Sequence, residues 1–340
     1  MYGLMFRSSV NPVIKIVFAP ILLLFYLKYI GQPLPILAPM FVVILLTTLP
    51  AKPPIKMILQ VVVVILFVSF VVVFFARILS DTPTGYALFC WSLFCWSYYR
   101  SHKNPQDIIS TLTLIVLIIA TVVSKQMDFA ISGVPLVIFK AFLIAIVVFW
   151  LSHFLFPGEQ EDILPDEGIK GSEAHLGIAM FKATAMSIAL AILIGIGSSQ
   201  TMLIAITVSS MIKLPMSFHQ RDFSAQRLVT TAAGILFTLP IMLLYGFGAP
   251  YWVVLGFTLF LGIQLACYAI RRQSHSTIYQ LLFTNFVVIT YQIINHEGVD
   301  SLSSGFKRLV SISIAIFIGA LILRLINHSP KDPEPTEKLN

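Results

Sequence analysis

The apolar stretches of this chain hold almost no acid. Charged residues make up 11% of the 340, and every Asp and Glu lies in a connection, in a tail or at the edge of an apolar run. No carboxylate is therefore placed deep enough to relay protons or hold a metal cation, which argues against a cation pump. Cysteine is scarce as well: Cys90, Cys95 and Cys267 sit inside apolar runs, without a disulfide framework or metal-ligand spacing. Nucleophile elbows, HExxH, Asp-rich prenyl-diphosphate motifs and Walker loops are all missing, and His102, His219 and His275 form no ligand set. Enzyme chemistry has no foothold, and neither a cofactor nor a metal is expected.

What the chain has in excess is apolar length. Hydrophobic residues reach 58%, and the mean hydropathy is +0.91. Spans of about 20 apolar residues cross a hydrocarbon core of about 30 Å as helices. The runs do not alternate as barrel strands would, so the expected fold is all-α, a polytopic membrane protein. The net charge of +7 does not imply nucleic acid, because Lys and Arg cluster in short connections, where orientation in the bilayer accounts for them.

About twelve spans are expected. The first six begin near Asn11, Pro35, Ile55, Gly85, Asp107 and Ser132, and end near Ile30, Leu49, Leu79, Tyr99, Ser124 and Phe156. The next six begin near His175, Ser198, Phe223, Pro250, Ser276 and Ser301, and end near Ile196, Ile212, Tyr245, Ile270, Ile294 and Asn327. Between the sets lies the long polar stretch PGEQEDILPDEGIKGSE. The halves echo one another: at one constant offset Met40 answers to Met202, Thr47 and Thr48 to Ser209 and Ser210, and Pro53 to Pro215. The organisation read from this is a first repeat over 1–157, an acidic linker over 158–174, a second repeat over 175–328 and a disordered tail over 329–340. Lys52 and Lys56, Arg100 and Lys103, Lys213, Arg221 and Arg227, and Arg271 and Arg272 fill every second connection. That pattern predicts cytoplasmic termini, a cytoplasmic linker and two parallel repeats about an axis along the membrane normal.

The cations inside apolar runs are the candidate site residues. Lys28, Arg77 and Arg324 stand near span ends, where a long side chain reaches the interface. Lys140 is deeper, about 12 Å into its expected span at 1.5 Å per residue, and its repeat partner is Arg308. Lys15 and Lys182 form a second pair, one in the first span of each half. Buried cations without buried acids are expected to face a wet cavity or an anion. The short second spans close on prolines and carry Thr47, Thr48, Ser209 and Ser210, hydroxyls that could line the same cavity or simply bond their own helix. Phe89, Trp91, Phe94, Trp96, Tyr98 and Tyr99 read as an interfacial aromatic belt, and RLVTTAAG, ending at Gly234, reads as a close-packing helix face.

Two parallel six-helix halves, TTLPAKPP and SSMIKLP after the short spans, and the Arg-small-residue start RLVTTAAG together resemble the fusaric acid resistance and aromatic acid exporter (FUSC-like) superfamily. The short, membrane-only bacterial members of the DUF2955-like kind are most similar. The resemblance implies a bacterial inner-membrane efflux component for organic or aromatic acids. A periplasmic membrane-fusion adaptor and an outer-membrane channel would be its partners, and a homo-oligomer is compatible with it. Thr230 stands where the family pattern often has Gly. Two other readings are carried forward: a non-transporting scaffold subunit of an envelope complex, and a membrane-embedded enzyme acting on lipid. The orientation is tested by single-cysteine labelling from outside, which should reach positions near Asp81, Lys125 and Glu297 and miss those near Lys52, Arg100 and Arg271. Outside labelling near Asp162 would overturn the parallel arrangement.

Overall fold

Valine and isoleucine runs such as VVVVILFVSFVVV favour strands in water. Inside a bilayer every backbone amide must find its partner within the protein, and a helix supplies that partner locally. The computed structural model describes residues 11–49, 53–79, 82–104, 107–126, 133–157, 176–197, 201–213, 234, 236–271 and 276–295, together with 310, 314, 317 and 318. The described elements are all helices: α1 Asn11–Tyr29, α2 Leu37–Thr48, α3 Ile55–Ile78, α4 Pro83–Lys103, α5 Ile108–Gln126, α6 Val134–Leu155, α7 Leu176–Ile196, α8 Thr201–Lys213, α9 Leu236–Gly246, α10 Tyr251–Arg271 and α11 Ser276–Asn295. The expected linker, the tail, Arg308 and most of RLVTTAAG lie outside the described residues.

Local chemistry sets the helix ends. Pro83 opens α4 and Pro135 lies in the first turn of α6, where a missing N–H costs nothing. Gly31 and Gly248, at φ 67° and 74°, end α1 and α9 in paired bonds of the Schellman kind: Gln32 N–H to Leu27 C=O with Gly31 N–H to Lys28 C=O, and Ala249 N–H to Leu244 C=O with Gly248 N–H to Tyr245 C=O. Helix α4, expected to stop near Tyr99, continues to Lys103.

Among the described residues six helices, α1, α3, α5, α6, α7 and α10, are long and apolar enough to cross a membrane, and the chain is a multi-pass membrane protein. Helices α2 and α8 have 12 and 13 residues, about 18–20 Å at 1.5 Å per residue, and fall short of a 30 Å core. Burial sorts the bundle into an inside and an outside. The α5 span is 83% buried, against 33–39% for α3, α6, α7 and α10. Every residue of α2 from Leu37 to Leu46 is buried, so that short helix has no outward face.

Contacts between the halves are reciprocal. Helix α1 packs on α10 and α11, while α7 packs on α4 and α5; α2 packs on α11, and α8 on α5. Side chains tie the same pairs: Tyr251 Oη donates to Phe25 C=O at 2.9 Å between α10 and α1, and Trp91 Nε1 donates to Thr184 Oγ1 at 2.9 Å between α4 and α7. Asn11 Nδ2 donates to Pro157 C=O at 2.9 Å, so α6 ends beside the start of α1. Lys28 Nζ donates to Asn295 Oδ1 at 2.7 Å, joining the far ends of α1 and α11.

The α1–α10 crossing depends on one glycine. A Cβ at Gly262 would stand 2.7 Å from Val17 Cγ1 and 3.1 Å from Ile21 Cδ1, and a β-branched valine has little freedom to withdraw. Small residues of this kind let helix backbones approach closely in lipid. Gly262→Ala should destabilise the protein by about 1–3 kcal/mol through overpacking, read by thermal unfolding in detergent. Val17→Ala in the same chain should restore most of the loss. A Gly262→Ala protein as stable as the parent would remove this contact from the account.

Candidate functional site

Helix α4 turns many of its polar residues inward. Its buried residues are Tyr86, Cys90, Phe94, Ser97, Tyr98, Ser101 and His102, at helical spacing on one face, while Leu88 and Trp96 are exposed. In water that order would be reversed; in lipid, polar groups turn toward the protein interior. The face meets α5 of its own half and α7 and α8 of the other.

At one end of this seam stands a charged knot. Asp107 precedes α5 and caps it, its Oδ2 accepting from Ser110 N–H at 2.9 Å. The same carboxylate receives Arg100 from the end of α4, Nε to Oδ2 at 2.6 Å and Nη2 to Oδ1 at 3.3 Å, the two-pronged geometry that arginine favours. Thr111 Oγ1 donates to Asp107 C=O at 3.0 Å and accepts from Lys213 Nζ at the end of α8. The Asp107 carboxylate thus joins the ends of α4 and α5, and its backbone carbonyl, through Thr111, brings in the end of α8. Asp107 is the sole Asp or Glu among the described residues.

Hydroxyls follow along the seam. Tyr98 Oη and Ser209 Oγ bond at 3.0 Å, across α4 and α8. The α4–α5 register, set by Arg100 beside Asp107 and Tyr86 beside Thr121, places Ser97 level with Ser110 in the first turn of α5, Ser101 beyond the start of α5, and Thr113 level with Phe94. Ser97 Oγ, Ser101 Oγ and Thr113 Oγ1 are buried and have no hydrogen-bond partner among the described residues. An unsatisfied buried hydroxyl costs about 1–3 kcal/mol, so these three are donors ready for any polar group in the seam. On α4 the fully buried Phe94 lies between Ser97 and a second polar group. There Tyr86 Oη and Thr121 Oγ1 stand 3.2 Å apart, Cys90 Sγ is 3.9 Å from Thr121, and Lys125 Nζ lies 5.3 Å from the centre of the Tyr86 ring. The seam therefore carries basic residues at both ends, with hydroxyls and the buried Phe94 inside.

The residues singled out from the sequence are distributed unevenly. Lys15 and Lys182 are both buried, at 2% and 1% exposure, on the two helices that cross between the halves. Ser209 is in the seam. Thr47 and Thr48 instead donate to their own helix, Thr47 to Val43 C=O at 2.8 Å and Thr48 to Ile44 C=O at 2.6 Å. Helix α2 packs on α1, α6 and α11, and α8 on α4, α5 and α7, so the threonines and Ser209 belong to different seams. The side chain of Ser210, like Arg308, lies outside the description. Lys140 is exposed on α6, which packs on α1, α2, α3 and α5 of its own half; it does not look across the contact between halves.

Sequence reasoning missed Asp107, which it read only as a span start, and it placed Tyr98 and Phe94 in an interfacial belt. The belt reading is corrected: Tyr98 and Phe94 are 1% and 0% exposed. The signal was present in the spacing, since Tyr86, Cys90, Ser97 and Ser101 repeat at intervals of four and seven, which places them on one face of a helix. No group of three or more His, Cys, Asp or Glu arranged to hold a metal occurs among the described residues.

Residues 12–152 match a family described as a protein of unknown function (DUF2955), which covers most of the first half of the chain. No curated protein and no solved structure matches.

The charged knot generates a graded expectation. Asp107→Asn keeps a capping oxygen but weakens the Arg100 pair, whereas Asp107→Ala loses both. Asp107→Ala should destabilise by about 1–3 kcal/mol and Asp107→Asn by about half as much, read by thermal unfolding in detergent. Equal effects of the two would show that the cap contributes nothing.

Proposed function

We propose that this chain is an inner-membrane transporter of organic anions, built as two parallel six-helix repeats about an axis along the membrane normal. The repeat reading is supported by the exchanged packing of α1 on α10 with α7 on α4, and of α2 on α11 with α8 on α5. It is supported too by the meeting of Asn11 with Pro157, which returns the sixth helix to the side where the first began. The likeness of the first half to DUF2955 accords with the wider resemblance to aromatic acid exporters, whose substrate class this proposal adopts.

The observation that carries the transport reading is the polar seam where the halves meet. Arg100 and Lys213 stand at one end, Lys125 at the other, and Lys182 is buried on α7 against the same helices. A net positive potential in a low-dielectric wall concentrates anions. Unpartnered hydroxyls offer neutral donors that hold a carboxylate weakly enough to release it. Phe94, fully buried on the same face of α4, would have to move for a substrate to pass, a change of the kind alternating access supplies. Lys15 occupies the matching place in the other half.

One observation favours a second reading, the scaffold subunit: Lys140, the deepest cation expected from the sequence, faces outward from the bundle. Transport assays separate the two. Lys182→Met and Lys15→Met, each of similar volume without charge, should lower export of a benzoate-type acid from everted vesicles by about tenfold, with membrane abundance and thermal unfolding unchanged. Unaltered export by the stable double variant would end the transport reading and leave the scaffold.

A further inference from the structure

Helix α6 presents one outward stripe, with Leu136, Leu143, Val147 and Phe154 exposed at 62%, 41%, 65% and 83%. On a helix long and apolar enough to cross the bilayer, a continuous exposed apolar stripe is a lipid face. Lys140 lies on it between Leu136 and Leu143, about 9 Å from the helix start at 1.5 Å per residue. It lines a pocket of about 400 Å³ between α6 and the α1–α2 connection. Gln32 supplies a second polar side chain, while Leu34, Ala38, Val137 and Ile144 make apolar walls.

Strain marks the same place. Leu34 adopts φ 52°, although a residue before proline is driven to extended backbone and a left-handed leucine costs about 1–3 kcal/mol. Pro33 and Pro35 flank it and line the pocket with it. The surrounding structure holds this turn open against its own preference, and held strain of this kind clusters at ligand sites.

We propose that this pocket is a lateral, membrane-facing site for a single-chain amphipathic anion. The anionic head sits at Lys140 and Gln32, and the apolar body lies among Leu34, Val137 and Ile144. The occupant follows from charge and size. Among the described residues the lining holds one cation and no carboxylate, so an anion is favoured over a neutral or cationic amphiphile. At about 30 Å³ per water-sized group, the volume takes about a dozen non-hydrogen atoms. That suits a medium-chain or aryl-alkyl monocarboxylate and is too small for a whole two-tailed lipid. The opening on the lipid stripe gives such a molecule a way in from the bilayer, where its tail already partitions. The proposal rests on the transport reading only for its consequence, that substrate is taken from the membrane; the binding itself stands alone.

The test uses the full chain in nanodiscs of zwitterionic lipid, titrated with radiolabelled decanoate and, in parallel, with the uncharged radiolabelled decanamide, both of which match the pocket in size. The acid should bind at least tenfold more tightly than the amide, and unlabelled decanoate should displace it. Lys140→Gln should abolish that preference, while Lys140→Arg should retain it; the exposed position makes both variants compatible with folding, checked by monodispersity. Equal affinity for acid and amide, or an unchanged preference in Lys140→Gln, would overturn the site. Phosphatidylglycerol added to the disc distinguishes the other source of an anionic head. If it displaces the probe through Lys140 at a few lipids per protein, the occupant is a lipid headgroup and the single-chain assignment is overturned. Binding with no export would refute the transport reading and leave the pocket, whereas export with no binding would do the reverse.

Discussion

A polar side chain on a bilayer-spanning helix has three places to go: a carbonyl of its own helix, the interface, or the protein interior. Lipid offers no fourth, and the structure is organised by how each residue resolves this. Thr47, Thr48 and Thr258 use their own helices. Lys28 reaches a span end and finds Asn295. Tyr98, Ser209, Tyr86 and Thr121 turn inward and bond across helices. Where inward-turning groups accumulate, they define a seam that the apolar helices around it must enclose, and α4 brings most of them.

Enclosure explains the division into inner and outer helices. The short α2 is surrounded on every side, as is most of α5. Around them α3, α6, α7 and α10 each give one face to protein and one to lipid, with a share near a third buried. Since lipid tails are as apolar as leucine, outer helices gain nothing from hiding apolar surface and are held by close packing and interhelical bonds. Gly262 against Val17, Trp91 with Thr184, and Tyr251 with Phe25 are contacts of that kind. All three join one half of the chain to the other. The knot at Asp107 does so as well, gathering α4 and α5 with α8.

The two candidate sites differ in how they treat charge. Along the seam, cations are distributed at ends and on a buried face, and hydroxyls fill the space between. A carboxylate moving there would trade one weak donor for the next. At the α6 pocket a single exposed cation stands beside apolar walls and a strained turn, an arrangement that selects a head and a tail together. Membrane entry followed by passage between the halves is a coherent route for an acid whose body prefers lipid and whose charge does not.

Composition and run length alone determined that this is a helical, multi-pass membrane chain, because a bilayer leaves so few ways to satisfy a backbone. The positions of α1–α8, α10 and α11 followed to within a few residues, since prolines and glycines punctuate the apolar runs, while the start of the ninth expected span and most of the twelfth lie outside the described residues. The buried pair Lys15 and Lys182 was legible too, because a cation amid apolar residues stands out in any sequence. The tertiary structure alone decided which face of each helix meets protein. Lys140 looked like an interior cation by depth, yet its face of α6 is the lipid face. Tyr98 and Phe94 looked like an interfacial belt by residue type, yet the face they share is buried against the other half. Depth along a helix is written in one dimension, whereas rotation about its axis is set by the neighbours it packs against.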